Sequence, residues 1–171
     1  AIAYSDNVYA VKTHLFLGCD KLANTLKRFK FSSNFESIPS LALGTNEVSL
    51  FELTSAYNAL ASSGIYYEPY FIEYVSMNDR IIYEHKTDKT VVANEDDVYL
   101  LSEAMTSIFD NNMIYSIRPT GARIASLLSF KYSAKSGSTD TDNYMIGYNP
   151  NITLGIWSGY DDNRDSEVSD G

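Results

Sequence analysis

One cysteine, Cys19, is all the thiol in this 171-residue chain, so no internal disulfide holds it together. A lone cysteine fits a reducing compartment slightly better than an oxidising one, without arguing against export, and just after a helix end it reads as a packed small hydrophobe. Histidine is nearly as scarce: His14 and His85 lack metal-ligand spacing, so both read as structural or surface residues and no metal or other cofactor is expected. No apolar run approaches the about 18 residues of a membrane helix, and no signal-peptide pattern opens the chain. Any membrane anchor is therefore expected outside this stretch. Positive charge is short, with 13 basic against 22 acidic residues and a net charge of −9, which argues against nucleic acid or an anionic membrane surface as partner. The Asp161, Asp162, Asp165 group lacks the repeated ligand spacing of a calcium loop and reads as a solvated loop. There is no internal repeat, no low-complexity tract and no dividing linker, so residues 1–171 are expected to belong to one domain.

Apolar residues make up 44% of the chain and charged residues 20%, ordinary values for a folded core. Fourteen tyrosines and eight phenylalanines point to a strand-rich element, because aromatics suit half-buried pleated surfaces. Ser5-Asp6-Asn7 offers cap side chains before a helical pattern with Val8, Val11 and Leu15 on one face, ended by Gly18. Asp20 is a candidate cap for a second helix with Leu22, Leu26 and Phe29 as its apolar stripe. Ser49 and Glu52 form a possible capping box opening a third, with Leu50, Leu53, Tyr57 and Leu60 in line and Gly64 beyond its end. Asn94 can cap a fourth over residues 95–109, turning Val98, Leu101, Met105 and Ile108 inward.

Between the last two helices the period changes. Residues 65–75 are aromatic and β-branched, 77–80 read as a turn and 81–85 as a return strand. Residues 110–121 are loop-like, and three strands are expected at 129–139, 144–149 and 153–160, the latter two joined by a turn at Asn149-Pro150-Asn151. Helices first and a closing antiparallel meander predict an α+β fold, an antiparallel sheet packed against helices.

The chemistry concentrates in Lys135-Ser136-Gly137-Ser138-Thr139. On a strand these residues set a cation, hydroxyls and an open backbone along one edge, a combination suited to a substrate carboxylate and a developing oxyanion. Gly137 lets a peptide lie directly against the strand, although a glycine there could also mark a simple bulge. Thr139 either closes the strand or touches the substrate.

Ser5-Asp6-Asn7 and Lys135-Ser136-Gly137 are two of the three short signatures of penicillin-recognising serine acyltransferases, S-D-N and K-[ST]-G. Other matching segments fall in the same order: Pro39-Ser40-Leu41-Ala42-Leu43-Gly44-Thr45, the run from Glu52 to Ala61, Gly147-Tyr148, and Trp157-Ser158-Gly159-Tyr160-Asp161-Asp162. The chain thus resembles the C-terminal part of a transpeptidase domain from a class A (bifunctional) penicillin-binding protein, over about residues 4–165. The third signature, S-x-x-K, is absent, since no Ser or Thr has a Lys three residues later. On this resemblance the nucleophile segment is expected before Ala1 and a closing helix after Gly171, which makes the chain a partial domain truncated at both ends.

The resemblance implies D,D-transpeptidation of peptidoglycan stem peptides through an acyl-serine, with β-lactam antibiotics as mimics, at the extracytoplasmic face of the bacterial membrane. A glycosyltransferase domain belongs to the same kind of parent. It further implies that Ser5 relays a proton, that the Asn7 amide donates to the substrate's peptide carbonyl, and that Lys135 attracts the terminal carboxylate and polarises Ser5. The Ser136 and Ser138 hydroxyls would bind that carboxylate, and the Ser138 N–H would be one oxyanion donor. Without its serine the chain itself is expected to be inactive. Two other classes compete. A serine β-lactamase or penicillin sensor would need a deacylating Glu in an E-x-x-L-N context, but Glu36 is followed by Ser37-Ile38-Pro39-Ser40. A non-enzymatic peptide-binding module would use the groove beside Lys135 for strand addition.

Overall fold

Helices begin where short polar side chains can satisfy the first free N–H groups. In the computed structural model, which describes residues 1–113 and 117–165, Asp6 accepts from the Tyr9 N–H and opens α1, Asn7–Leu17. Ser49 and Glu52 make the full capping box of α3, Leu50–Ala61, and the Asn94 side chain accepts from the Asp96 and Asp97 N–H groups at the start of α4, Glu95–Thr106. The intervening α2, Cys19–Arg28, departs from expectation: Gly18 is its N-cap, and Asp20 sits in its first turn. With φ at 94°, Gly18 ends one helix and starts the next within a single residue, so no side-chain cap is used.

The inward face of α1 also differs from the expected stripe. Val8 and Leu15 are 64% and 54% exposed, and the buried residue of α1 is His14. The helix lies against the 3-10 segment Pro39–Leu43, and His14 Nε2 sits 3.1 Å from the Ile38 carbonyl, which can only accept, so that nitrogen donates. Val11 of the expected stripe is half-buried, so periodicity found part of this face, and the polar contact of His14 was the part it missed. The α2 face is as expected, with Leu22 and Leu26 packed on Ala23, Phe35 and Leu41.

The aromatic run after Gly64 breaks early. Its first strand, β1, covers only Ile65–Tyr67 before strand resumes at Tyr74, and it pairs antiparallel with β4, Lys89–Val91, a strand the sequence pattern did not announce. Glu68 still donates to the Asp88 carbonyl, but Pro69 has no N–H to continue the ladder. The hairpin β2, Tyr74–Met77, with β3, Arg80–Glu84, is separate and turns at Asn78 and Asp79, both at positive φ, as a tight right-twisted hairpin requires. The inward positions of α4 are Val98 and Met105, with Ile108 in a following 3-10 turn at Ser107–Phe109; Leu101 is 40% exposed. A 3-10 segment, Ala122–Leu127, precedes the last sheet, and the first strand there begins at Ser133, later than the pattern suggested. The expectations for 114–116 and beyond 165 lie outside the described residues.

That sheet is antiparallel in the order β5, Ser133–Ser138; β6, Asp142–Asn149; β7, Ile152–Gly159. Asn149 Oδ1 accepts from the Asn151 and Ile152 N–H groups, which closes the β6–β7 turn and pairs Asn149 with Ile152, Tyr144 with Trp157 and Asp142 with Gly159. Helix α3 rests on β7 at Gly155, where a Cβ would overlap Thr54 Oγ1 and come within 3.0 Å of Ile146 Cδ1 and 3.1 Å of Leu50 Cδ1. Ser133 donates to the Ser102 carbonyl at 2.7 Å, and the Tyr148 and Ser102 hydroxyls meet at 2.9 Å, joining α4 to the root of β5. The result is the expected α+β arrangement, with β5 at a sheet edge.

Candidate active site

The root of β5 is buried and its tip is exposed. Ser133 and Ala134 are buried, at 7% and 0% exposure, Lys135 and Ser136 are half-buried, and Gly137 and Ser138 are exposed. Among the described residues β6 is the strand paired with β5, so the other edge stays open. Ser138 stands opposite Asn143, while the neighbouring Thr139 N–H donates to the Asp142 carbonyl at 2.8 Å. In an antiparallel ladder this places Ser138, and by alternation Ser136, in non-hydrogen-bonded pairs whose own N–H and C=O groups turn away from β6. These groups therefore face the open edge. A Cβ at Gly137 would meet nothing within 4 Å, so its space is free for an approaching chain.

Lys135 shares a face with Ile146, its β6 partner, and is partly desolvated; burial lowers its pKa from the ordinary 10.5. Its Nζ donates to Ser5 Oγ at 2.6 Å across 130 residues of sequence, and also to the Ser136 carbonyl on the open edge. The ammonium thus bridges the start of the chain and the edge of β5.

Ser5 is held for this contact. It follows the 3-10 turn Ile2–Tyr4, whose Ala3 is 1% exposed and accepts from the Thr120 N–H at 2.9 Å, while the Tyr4 hydroxyl donates to the Met113 carbonyl. Ser5 adopts φ 52° and ψ 48°, a left-handed conformation that costs a serine on the order of 1–3 kcal/mol. Its N–H donates to the Ile2 carbonyl, so a backbone bond helps sustain that conformation.

The contact between the two segments runs through Ser5. Asn7 is the first residue of α1, with its side chain exposed. Thr139 belongs to the turn: its hydroxyl accepts from the Asp142 N–H at 3.0 Å and the Thr141 N–H at 3.3 Å, so the strand-closing alternative describes it better. One polar cluster beside the site carried no assignment from the sequence. Asp142 accepts from the Trp157 indole N–H at 2.7 Å and from the Thr141 hydroxyl at 2.6 Å. The signal was available, because the Asn149-Pro150-Asn151 turn sets the register that makes these residues diagonal neighbours. Among the described residues no group of His, Cys, Asp or Glu could hold a metal ion.

Comparison with known proteins bears on this geometry. The family profile described as penicillin binding protein transpeptidase domain matches residues 1–168. Penicillin-binding protein 2D of Bacillus subtilis is 42% identical over 164 residues, covering 95% of this chain and 24% of that protein. Penicillin-binding protein 1A of Rickettsia bellii is 26% identical over 184 residues, covering 94% of this chain and 22% of that protein. The chain therefore spans about a quarter of the length of these curated relatives. The crystal structure of penicillin-binding protein 1A from Haemophilus influenzae superposes with a TM-score of 0.86 at 21% identity, over 95% of this chain and 29% of that one. Penicillin-binding protein 3 from Mycobacterium tuberculosis, complexed with ampicillin, superposes at 0.78 with 16% identity, over 92% of this chain and 43% of that one. These likenesses are to the same fold.

Proposed function

Because this chain belongs to the penicillin-binding protein transpeptidase domain family, we propose that the open edge of β5 receives a peptidoglycan stem peptide and that the complete protein is a serine-type D-Ala-D-Ala transpeptidase. In this reaction a serine hydroxyl attacks the carbonyl between two D-alanines. Its proton passes to the departing D-alanine amine, and an acyl-serine remains. An amine of a neighbouring stem peptide then attacks that ester, forms the cross-link and returns the proton to the serine. None of the 171 residues offers this serine in an S-x-x-K setting, so the reading gives the present residues the work of binding, orienting and proton transfer.

The observation that carries the proposal is the 2.6 Å bond from Lys135 Nζ to Ser5 Oγ. A hydroxyl that accepts from an ammonium is a ready proton relay, since one lone pair stays free to accept and its polarised proton is more easily given up. The same ammonium supplies positive potential for a ligand's terminal carboxylate. The pleat places Ser136 and Ser138 on the face opposite Lys135 and Gly137, so a ligand touching both sets lies along the strand edge. There the Ser138 N–H is a donor for an oxyanion, the Ser136 and Ser138 hydroxyls for the carboxylate, and the Asn7 amide for the peptide carbonyl beyond. β-Lactams, which mimic the terminal dipeptide, would enter the same edge. The ampicillin complex of a protein with the same fold supports this.

Such chemistry belongs at the extracytoplasmic face of the bacterial membrane. Among the described residues no helix is long and apolar enough to cross a membrane. The test is Lys135→Ala in the complete polypeptide with a fluorescent penicillin. Acylation should fall by about 100-fold or more, because a positioned charge donor to the developing anion is lost. Near-normal acylation by a folded variant would leave Lys135 a solvated cation and remove the proposal's support.

A further inference from the structure

The tip of β5 is exposed and edge-on, yet the proposed ligand donors Ser136, Gly137 and Ser138 need a defined direction. A free strand end would fray. Here the turn that follows is tied down from three sides. Thr139 N–H donates to the Asp142 carbonyl at 2.8 Å, and the Thr139 hydroxyl accepts from the Asp142 N–H at 3.0 Å. The Asp142 carboxylate reaches the other way, with one oxygen on the Trp157 indole N–H at 2.7 Å and the other on the Thr141 hydroxyl at 2.6 Å. The turn also presses onto β7 at Gly159, where a Cβ would stand 2.9 Å from the Thr141 carbonyl oxygen and 2.8 Å from the indole ring.

We infer that Asp142 and Trp157 are positioning residues for the active edge: through the Thr139–Asp142 turn they orient the Ser138 backbone N–H toward a ligand on β5. This rests on the reading of β5 as the ligand strand. The chain of contacts is short. The indole is carried by β7, the carboxylate by β6, and Thr139 is the residue next to Ser138, so a rigid third strand is coupled to the tip of the first. The carboxylate is kept ionised, its pKa lowered by the Thr141 hydroxyl first and the Trp157 indole second, so the clamp consists of charge-assisted bonds. Neither side chain is placed against the ligand itself. Their effect is confined to where Ser138 points.

The experiment uses the complete polypeptide and three variants. Trp157→Phe removes the indole N–H while keeping a ring, Asp142→Ala removes the acceptor, and Asp142→Asn keeps one acceptor oxygen. Stopped-flow acylation by a penicillin should show the acylation step slowed roughly tenfold in Trp157→Phe and about 100-fold in Asp142→Ala, with non-covalent affinity changed far less, because a misplaced donor costs the transition state most. Asp142→Asn should recover part of the loss. Without any ligand, amide exchange over residues 139–142 should quicken in Trp157→Phe and Asp142→Ala. Unchanged exchange in both variants overturns the inference, even if the wild type reacts with penicillin. Wild-type acylation rates in variants with quickened exchange also overturn it. A wild type that penicillin does not acylate fails the functional reading, whereas the exchange result still decides whether the clamp exists. Gly159→Ala should reproduce the slowed acylation with Asp142 and Trp157 chemically intact. A normal rate in that variant counts against the inference.

Discussion

Adding one methyl group at Gly155 should loosen the contact that fixes α3 to the sheet. In Gly155→Ala the new Cβ would overlap Thr54 Oγ1 and press on Ile146 Cδ1 at 3.0 Å and Leu50 Cδ1 at 3.1 Å. Thr54 cannot yield freely, because its hydroxyl donates to the Leu50 carbonyl at 2.7 Å and a β-branched side chain has few rotamers in a helix. The leucine and isoleucine ends can give by a few tenths of an ångström; the threonine contact requires a rotamer change or a shift of the helix. Such overpacking costs about 2 kcal/mol. Hydrogen exchange of the α3 and β7 amides in the complete polypeptide reads this local opening directly, and that cost corresponds to roughly 30-fold faster exchange. Thr54→Ala alone should have a small effect. Combined with Gly155→Ala it should recover most of the loss, since the overlapping atom is gone and the methyl groups fill the space; the coupling should be about 1 kcal/mol or more. An exchange rate within threefold of wild type in Gly155→Ala, or strictly additive effects in the double variant, would refute the close-approach argument.

Acid should unlatch α3 from the segment before it. Glu52 accepts from the Ser32 N–H at 2.8 Å, the largest cause, and from Ser49, which lowers its pKa from 4.5 to about 2. A depressed carboxylate pKa adds stability above the unfolded value, and that stability is lost as pH falls from 4.5 toward 2. Because the site is near the surface, the contribution is about 1 kcal/mol, and a Glu52→Gln comparison across that pH range should show the difference closing. For Lys135 the sign is opposite. In the proposed role the ammonium is the working form, and burial lowers its pKa, so penicillin acylation of the complete protein should decline with rising pH at a point below the ordinary lysine value of 10.5. An alkaline limb at or above that value would contradict the desolvated position. The 171-residue chain by itself, incubated with a fluorescent penicillin, should show no covalent adduct by intact mass, and a stoichiometric acyl shift would identify another nucleophile within it.

Much of this architecture was legible because its causes are local. Asp6, the Ser49–Glu52 box and Asn94 mark helix starts through bonds spanning two or three residues. Asn149-Pro150-Asn151 sets the β6–β7 register by the same short reach, and a cation followed by small hydroxyl residues and glycine signals an edge strand before any coordinates are known. The motif order also carried the family, since the matched segments run almost the length of the chain.

What sequence reasoning missed depends on partners far along the chain. Periodicity put Val8, Val11 and Leu15 inside; Val11 is half-buried, but Val8 and Leu15 are exposed, and the buried residue is His14, which meets the Ile38 carbonyl 24 residues away. The early end of β1 was written in Pro69, whereas its pairing with β4 required the two segments to be brought together around Ala59, Tyr66 and Val92. Residue types alone determined the starts of α1, α3 and α4, the closing meander and the chemistry available on β5, because a cap, a turn and a side chain's charge are properties of a few adjacent residues. Tertiary structure alone decided that Gly155 is where a helix touches a strand; it also brings Lys135 to Ser5, as the family resemblance implied, and Trp157 to the turn beyond Ser138, as the β6–β7 register allowed. These contacts join residues from 15 to 130 positions apart, and only the packing of helices on a twisted sheet selects which of the many possible pairs form.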